Sequence, residues 1–182
     1  SAEPTARGRL TRPTFVGVNQ LLMEILQANE QPGVLPLGAA YPGPGLLPSL
    51  RMQRMFGKVA RGRTDLLAVG RCTQNNDPRL VRQIVRRSLD WGGLLDADEL
   101  VITHSCTESI NLCLRAVAGP GDTIALESPT YFALLQIIES LGMKALEIPT
   151  HSRTGVSVEA LELATRNGAV KACLLVPTAN NP

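Results

Sequence analysis

The pattern of apolar positions predicts a chain in which short buried strands alternate with helices. Apolar runs typical of buried strands occur at residues 100–103, 123–127, 144–148 and 170–176. Apolar residues recurring every three or four positions predict helices over residues 105–117, 132–141 and 158–166. Strands and helices that alternate at this spacing favour a parallel sheet with right-handed crossovers, so we expect an α/β fold.

The first 95 residues carry helical patterns separated by turn-rich stretches. Helices are predicted over residues 15–28, 48–61 and 78–89, and Asp77 before Pro78 is a typical helix entry. Pro and Gly punctuate residues 32–45, which therefore cannot form a regular helix. We divide the chain into three parts: a basic linker (1–14), N-terminal helices with an extended arm (15–95), and the first part of an α/β domain (96–182).

Composition narrows the class of protein. The chain has 182 residues, of which 44% are apolar, so it can bury a substantial core. It contains no apolar run long enough to span a membrane, and its polar start lacks the apolar core of a signal peptide. The four cysteines form no C-x-x-C pair, which favours a reduced cytoplasmic protein without a disulfide framework or a metal site.

Charge is distributed unevenly along the chain. Residues 1–95 carry 13 Lys and Arg against 6 Asp and Glu, whereas residues 96–182 carry 5 against 10. Arg51, Arg54 and Lys58 fall on one helical stripe, which we interpret as a solvated basic face. The chain has few aromatic residues, and none lies on the same helical stripe as these cations, so direct nucleic-acid binding by this part is not favoured.

Candidate chemistry centres on residues 100–117, which predict a strand, a short polar loop and a helix. Ser105 and Glu108 stand in the S-x-x-E spacing of a capping box, which starts the helix at Ser105. The first N–H groups of such a helix can bind an anion. Two more polar loops follow predicted strands, at residues 128–131 and 177–182. Ligands bind beyond the carboxyl ends of parallel strands, so the three loops together suit a flat phosphorylated ligand.

Two sequence motifs carry a resemblance to a known family. The run VITHSCTESINLCLRAVAGPGDTIALESPTY, followed by PTANNP, resembles the large domain of fold-type-I pyridoxal-phosphate (PLP) proteins, the aminotransferase class I and II family. Within that family the chain is most similar to the effector domains of MocR-type regulators of the GntR superfamily. The resemblance implies a three-layer α/β sandwich with a mostly parallel sheet, of which this chain holds the first part.

The resemblance also implies roles for individual residues. Ser105, Cys106 and Thr107 match the loop that binds the cofactor phosphate, with Ser105 standing where the family usually has glycine. Tyr131 matches the aromatic residue that stacks on the pyridine ring. Asn181 matches the asparagine that donates a hydrogen bond to the phenolic oxygen of the ring, and Gly38 matches a glycine beside the substrate.

The family's Schiff-base lysine and the aspartate that pairs with the pyridinium nitrogen are expected beyond Pro182. The lysines of this chain are Lys58, Lys144 and Lys171, and none of them stands at the matching position. Without these two groups the cofactor lacks its covalent anchor and its electronic tuning. We therefore expect residues 1–182 alone to bind PLP weakly and to have no catalytic residue of their own.

Three functional interpretations stay open at this point. In the first, the chain belongs to a DNA-binding transcription regulator, with a winged-helix domain upstream of the linker, a homodimeric assembly, and PLP or a small amino compound as effector. In the second, it belongs to a free-standing aminotransferase that acts on amino acids. The third is an unrelated α/β nucleotide-binding module, which the missing G-x-G-x-x-G motif disfavours.

Overall fold

The computed structural model describes residues 12–29, 31–33, 42–62 and 77–180, which form two compact units. The described residues of the first unit are 12–29, 31–33 and 104–180, and this unit contains the sheet. Those of the second are 42–62 and 77–103, and its regular elements are helical. No helix in the described ranges is both long and apolar enough to cross a membrane.

The sheet is mixed and mostly parallel. Its strands are β1 (Thr14–Phe15), β2 (Thr123–Ser128), β3 (Lys144–His151), β4 (Gly155–Val156) and β5 (Val170–Leu174). The central strand β2 pairs in parallel with β3 on one side and with β5 on the other. The short strands β1 and β4 each pair antiparallel with β3. The predicted parallel α/β sheet is therefore confirmed, while β1 and β4 are too short to show a period in the sequence.

Helices cover both faces of this sheet. The first unit contains the helices α1 (Asn19–Asn29), α4 (Cys106–Val117), α5 (Phe132–Ser140) and α6 (Val158–Thr165). On one face, α4 and α5 pack against β2 in a core formed by Leu114, Ile124, Leu126, Ile137, Ile138, Met143 and Ala145. On the other face, α6 packs against Ala125, Leu146 and Ile148. The arrangement is a helix–sheet–helix sandwich, as expected for the three-layer fold.

The burial of β2 on both faces explains its continuous apolar sequence. Ile124, Ala125 and Leu126 are completely buried, because helices lie over both faces of the sheet. A strand covered on both sides needs apolar residues at successive positions rather than at alternate ones. The continuous apolar run at residues 123–127 is therefore a sign of a central strand, and its prediction is confirmed.

The predicted strand at residues 100–103 is wrong. Leu100 has an extended backbone, but no strand is assigned at these four residues, and Val101 is 70% exposed. A strand requires a hydrogen-bonded ladder with a neighbouring strand. Within the described residues, such ladders form only between the five strands already named, and none of them includes residues 100–103. Apolar, β-branched residues alone give the propensity for a strand without supplying its neighbour.

The second unit contains the helices α2 (Ser49–Gly62) and α3 (Pro78–Ser88). Short 3-10 turns lie at Pro44–Leu46, Leu89–Trp91 and Ala97–Glu99. The helix entry predicted at Asp77 is confirmed, because its carboxylate accepts a hydrogen bond from the Arg79 backbone N–H at 2.9 Å. In the first unit, α1 begins at Asn19 rather than at Phe15, since Phe15 belongs to β1 and pairs with Lys144.

Candidate functional site

The carboxyl ends of β2, β3 and β5 lie at one edge of the sheet, because the three strands are parallel. Helix α4 also points its N-terminus toward this edge. It packs on β2 and joins that strand through the short turn at residues 118–122, so the helix must run antiparallel to the strand. The start of α4 at residues 105–107 and the loops at residues 128–131 and 175–180 therefore share the edge where ligands bind in α/β sheets.

The start of α4 is fixed by two side chains. The Ser105 hydroxyl accepts a hydrogen bond from the Glu108 N–H at 3.1 Å, which confirms Ser105 as the N-cap. The Glu108 carboxylate accepts from the His104 N–H at 2.6 Å, so the second half of the predicted capping box is displaced by one residue. The hydrogen bond from the His104 backbone, followed by that from its ring, holds the pKa of Glu108 below its ordinary value.

The first turn of α4 offers backbone donors to a ligand. No acceptor within the described residues binds the N–H groups of Cys106 and Thr107, and both residues are exposed. Unpaired N–H groups at a helix N-terminus, together with the helix dipole, favour an anion such as a phosphate. The geometry of this turn thus fits the phosphate-binding role expected for residues 105–107.

Tyr131 follows β2 at the same edge and directly precedes α5. Its side chain is 40% exposed, and its ring lies 4.5 Å from the Phe132 ring, between centroids. A partly exposed aromatic ring supported by a second ring suits stacking with a flat ligand. The position agrees with the ring-stacking role expected from the sequence.

Two hydrogen bonds join the loop after β5 to the end of β2 and to the loop that follows β2. The Glu127 carboxylate, only 3% exposed, accepts from the Val176 N–H. The Asn180 side-chain amide donates to the Pro129 carbonyl at 3.3 Å. The structure therefore brings the second and third polar loops together. Neither Glu127 nor Asn180 is singled out by the sequence analysis, although both lie within its two motifs.

This corner of the sheet also holds polar atoms that have no partner. The Thr130 hydroxyl and the Asn180 side-chain carbonyl are buried without a hydrogen bond within the described part of the chain. Leaving such a group unsatisfied costs about 1–3 kcal/mol. Ala179, between the two loops' contacts, adopts a left-handed backbone with φ 52°. Unsatisfied polar atoms and local backbone strain both concentrate at binding sites.

Two of the expected site residues, Gly38 and Asn181, lie outside the described residues. The lysines of the first unit lie away from the carboxyl edge. Lys144 begins β3 at the amino edge, with its ammonium 5.2 Å from the Phe15 ring centroid, and Lys171 is the second residue of β5. In the described ranges, no three His, Cys, Asp or Glu side chains cluster in a way that could hold a metal ion.

Comparisons with known proteins give the family. Residues 71–182 match the family model for aminotransferase class I and II. The uncharacterized HTH-type transcriptional regulators YdcR and YjiR, both from Escherichia coli (strain K12), are 35% and 37% identical to the chain. The matches cover 95% and 94% of this chain but 37% and 36% of those proteins. The chain thus spans little more than a third of the length of these relatives.

Solved structures show the same fold at lower identity. An archaeal alanine:glyoxylate aminotransferase superimposes with a TM-score of 0.75 at 23% identity, covering 90% of this chain and 42% of that one. The kynurenine aminotransferase of Pyrococcus horikoshii gives a TM-score of 0.73 at 24% identity, over 89% and 41%. The fold and the match to the family model agree. The chain belongs to the aminotransferase class I and II family.

Proposed function

We propose that this chain is part of the PLP-binding effector domain of a MocR-type transcription regulator. One observation carries the proposal: the HTH-type regulators YdcR and YjiR are 35% and 37% identical to nearly the whole chain. The 2-aminoadipate transaminase of Thermus thermophilus is 23% identical over 88% of the chain. The regulator interpretation thus has the stronger support, and a DNA-binding domain elsewhere in the protein is part of the proposal.

The residues at the carboxyl edge divide the work of holding the cofactor. The N–H groups of Cys106 and Thr107 would bind the phosphate, and the Ser105 hydroxyl keeps this turn in place by capping α4. The Tyr131 ring would stack on the pyridine ring, and by the family resemblance Asn181 would donate to its phenolic oxygen. When bound, PLP supplies an electron sink for amino compounds, while the protein supplies binding and orientation.

Sensing requires that the ligand prefer one arrangement of the domains over another. PLP, alone or joined to an amino compound, would favour that arrangement, and the linker at residues 1–14 would pass the change to the DNA-binding domain. The size of the response is limited by the difference between the two ligand affinities. A homodimer is part of the same proposal, because two copies allow the protein to bind two DNA half-sites.

The test is DNA binding by the full-length protein. Its affinity for the DNA upstream of its own gene is measured by fluorescence anisotropy without ligand, with PLP, and with pyridoxal, which lacks the phosphate. We expect PLP to change the affinity about 5-fold or more, a typical allosteric coupling, and pyridoxal to have little effect. A full-length protein that binds no DNA, or binds it equally in all three conditions, would contradict the regulator proposal.

A free-standing aminotransferase is the second candidate, favoured by the similarity to the Thermus thermophilus transaminase. It predicts that the full-length protein transfers an amino group from an amino acid to a 2-oxo acid in the presence of PLP. Steady-state turnover of an amino-acid panel separates the two candidates. Turnover at typical enzyme rates of about 1 per second or more, without DNA binding, favours the enzyme.

A further inference from the structure

Glu127 is the one charged side chain that is buried among the residues the structure describes. It is the penultimate residue of β2 and follows the completely buried Ile124, Ala125 and Leu126. A carboxylate in apolar surroundings needs a hydrogen-bond donor, because burial removes its hydration. Its recorded donor is the backbone N–H of Val176, 49 positions further along the chain.

The position of this hydrogen bond follows from the register of the sheet. The parallel ladder between β2 and β5 ends at the pair Leu126 and Leu174. Beyond that pair, the Glu127 side chain takes the place of a backbone carbonyl and binds the N–H of Val176. Pro177 follows and has no N–H, so Val176 carries the last backbone donor before this proline.

The same loop is held a second time, four residues later. Asn180 donates its side-chain amide to the Pro129 carbonyl, and Ala179 between the two contacts has the left-handed φ of 52°. An alanine keeps such a backbone only where its surroundings impose it. The contacts at Val176 and Asn180 enclose Ala179 and supply that restraint.

We propose that Glu127 is a positioning residue, which holds the loop at residues 176–180 against the loop at residues 128–131 and so sets the ligand-binding geometry. It acts as a hydrogen-bond acceptor for Val176 and does not touch the ligand. A neutral acceptor of the same shape therefore serves equally well. The effect on the ligand rests on the proposed function, since it assumes that PLP binds at this edge.

The experiment uses the full-length protein with three substitutions. Glu127→Gln keeps an acceptor oxygen, Glu127→Leu removes it at similar size, and Glu147→Leu is the control, because Glu147 lies exposed on the neighbouring strand β3. Amide hydrogen exchange of the segment around Val176 is measured without ligand. The affinity for PLP is then measured from its absorbance and circular dichroism.

We expect Glu127→Leu to speed exchange in this segment about 10-fold or more, because the amide loses its acceptor. It should also weaken PLP binding by about 10-fold and reduce the circular dichroism of the bound cofactor, while Glu127→Gln and Glu147→Leu stay within about 3-fold of the wild type. Should Glu127→Leu not fold, Asn180→Ala removes the second contact without changing the core. That variant is expected to weaken PLP binding in the same direction.

The result that overturns the proposal is slow exchange and unchanged PLP affinity in Glu127→Leu. Equal losses in Glu127→Gln and Glu127→Leu would also overturn it, since they would show that the charge matters rather than the acceptor. A failure of the proposed function would give a different experimental result. In that case the wild type binds no PLP at all, and hydrogen exchange around Val176 alone decides whether Glu127 holds the loop.

Discussion

Ser105 sets the point at which α4 begins, and through it the direction of the Cys106 and Thr107 amides. Its hydroxyl satisfies the N–H of Glu108, which is otherwise left without an acceptor in the first turn. We predict that Ser105→Ala lowers the free energy of unfolding by about 0.5–2 kcal/mol, the usual cost of losing an N-cap. Urea denaturation measures the change.

The matched control is Ser152→Ala, at an exposed turn residue for which the structure gives no hydrogen bond. That substitution should leave the free energy of unfolding within about 0.5 kcal/mol of the wild type. Equal effects of the two substitutions would show that the Ser105 cap is not a stabilising contact.

The ionisation of Glu108 makes the free energy of unfolding depend on pH in the acidic range. Hydrogen bonds from His104 keep the pKa of Glu108 in the folded protein below its ordinary value of 4.5. As the pH falls below 4.5, the unfolded chain therefore binds a proton that the folded protein does not, and the contribution to stability is lost. We predict that the free energy of unfolding of Glu108→Gln falls less steeply than that of the wild type as the pH is lowered. The effect is modest, since the Glu108 side chain is 41% exposed.

Urea denaturation at several pH values between about 3 and 6 tests the prediction for Glu108. Wild type and Glu108→Gln should converge as the pH falls and separate above pH 4.5, with the wild type more stable. If the free energies of unfolding of the two proteins change in parallel over the whole pH range, Glu108 does not cause the acid dependence.

Residue-scale predictions succeed where the partners are close in sequence. The caps at Asp77 and Ser105 involve residues two and three positions away, so the motif contains both partners. The Glu139 carboxylate instead accepts from the Val18 N–H at 2.7 Å, and so caps the start of α1 from 121 positions away. No local pattern contains that pair. The contact between Glu127 and Val176 escapes prediction for the same reason.

At the scale of elements, the sequence predicts which segments are buried, but it does not always predict which of them pair as strands. The run at residues 123–127 is a central strand because both of its faces are covered. The similar run at residues 100–103 is not a strand in the structure, because a ladder depends on a neighbour that the run itself does not specify. Strand propensity is therefore a weaker guide than helix capping in this chain.

Leu114 is the buried residue of α4 and should contribute strongly to the attachment of this helix to the sheet. Leu114 is 2% exposed in the core with Ile124 and Ile138, whereas Leu112 on the same helix is 49% exposed. We predict that Leu114→Ala lowers the free energy of unfolding by about 2–5 kcal/mol, because it leaves a cavity. Leu112→Ala should cost less than about 1 kcal/mol. Urea denaturation of both variants checks the contrast, and similar losses would contradict the packing of α4.

At the scale of the whole molecule, the start of α4 and the loops after β2 and β5 lie at one edge of a three-layer fold. The sequence predicts this edge because parallel strands must end together, and the structure confirms that the loops after β2 and β5 touch. The residues that join them could not be predicted, since their contacts depend on the register between β2 and β5. In the function proposed above, this edge would bind PLP or an amino compound as the effector.

The most direct test of the central claim is PLP binding by the full-length protein, measured by isothermal titration with Tyr131→Ala and Phe15→Ala. Tyr131 lies at the carboxyl edge, whereas Phe15 pairs with the first residue of β3 at the amino edge and is 65% exposed. We predict that Tyr131→Ala weakens PLP binding about 5-fold or more, because stacking is lost, while Phe15→Ala does not. Equal affinities for the wild type and Tyr131→Ala would contradict a cofactor site at this edge.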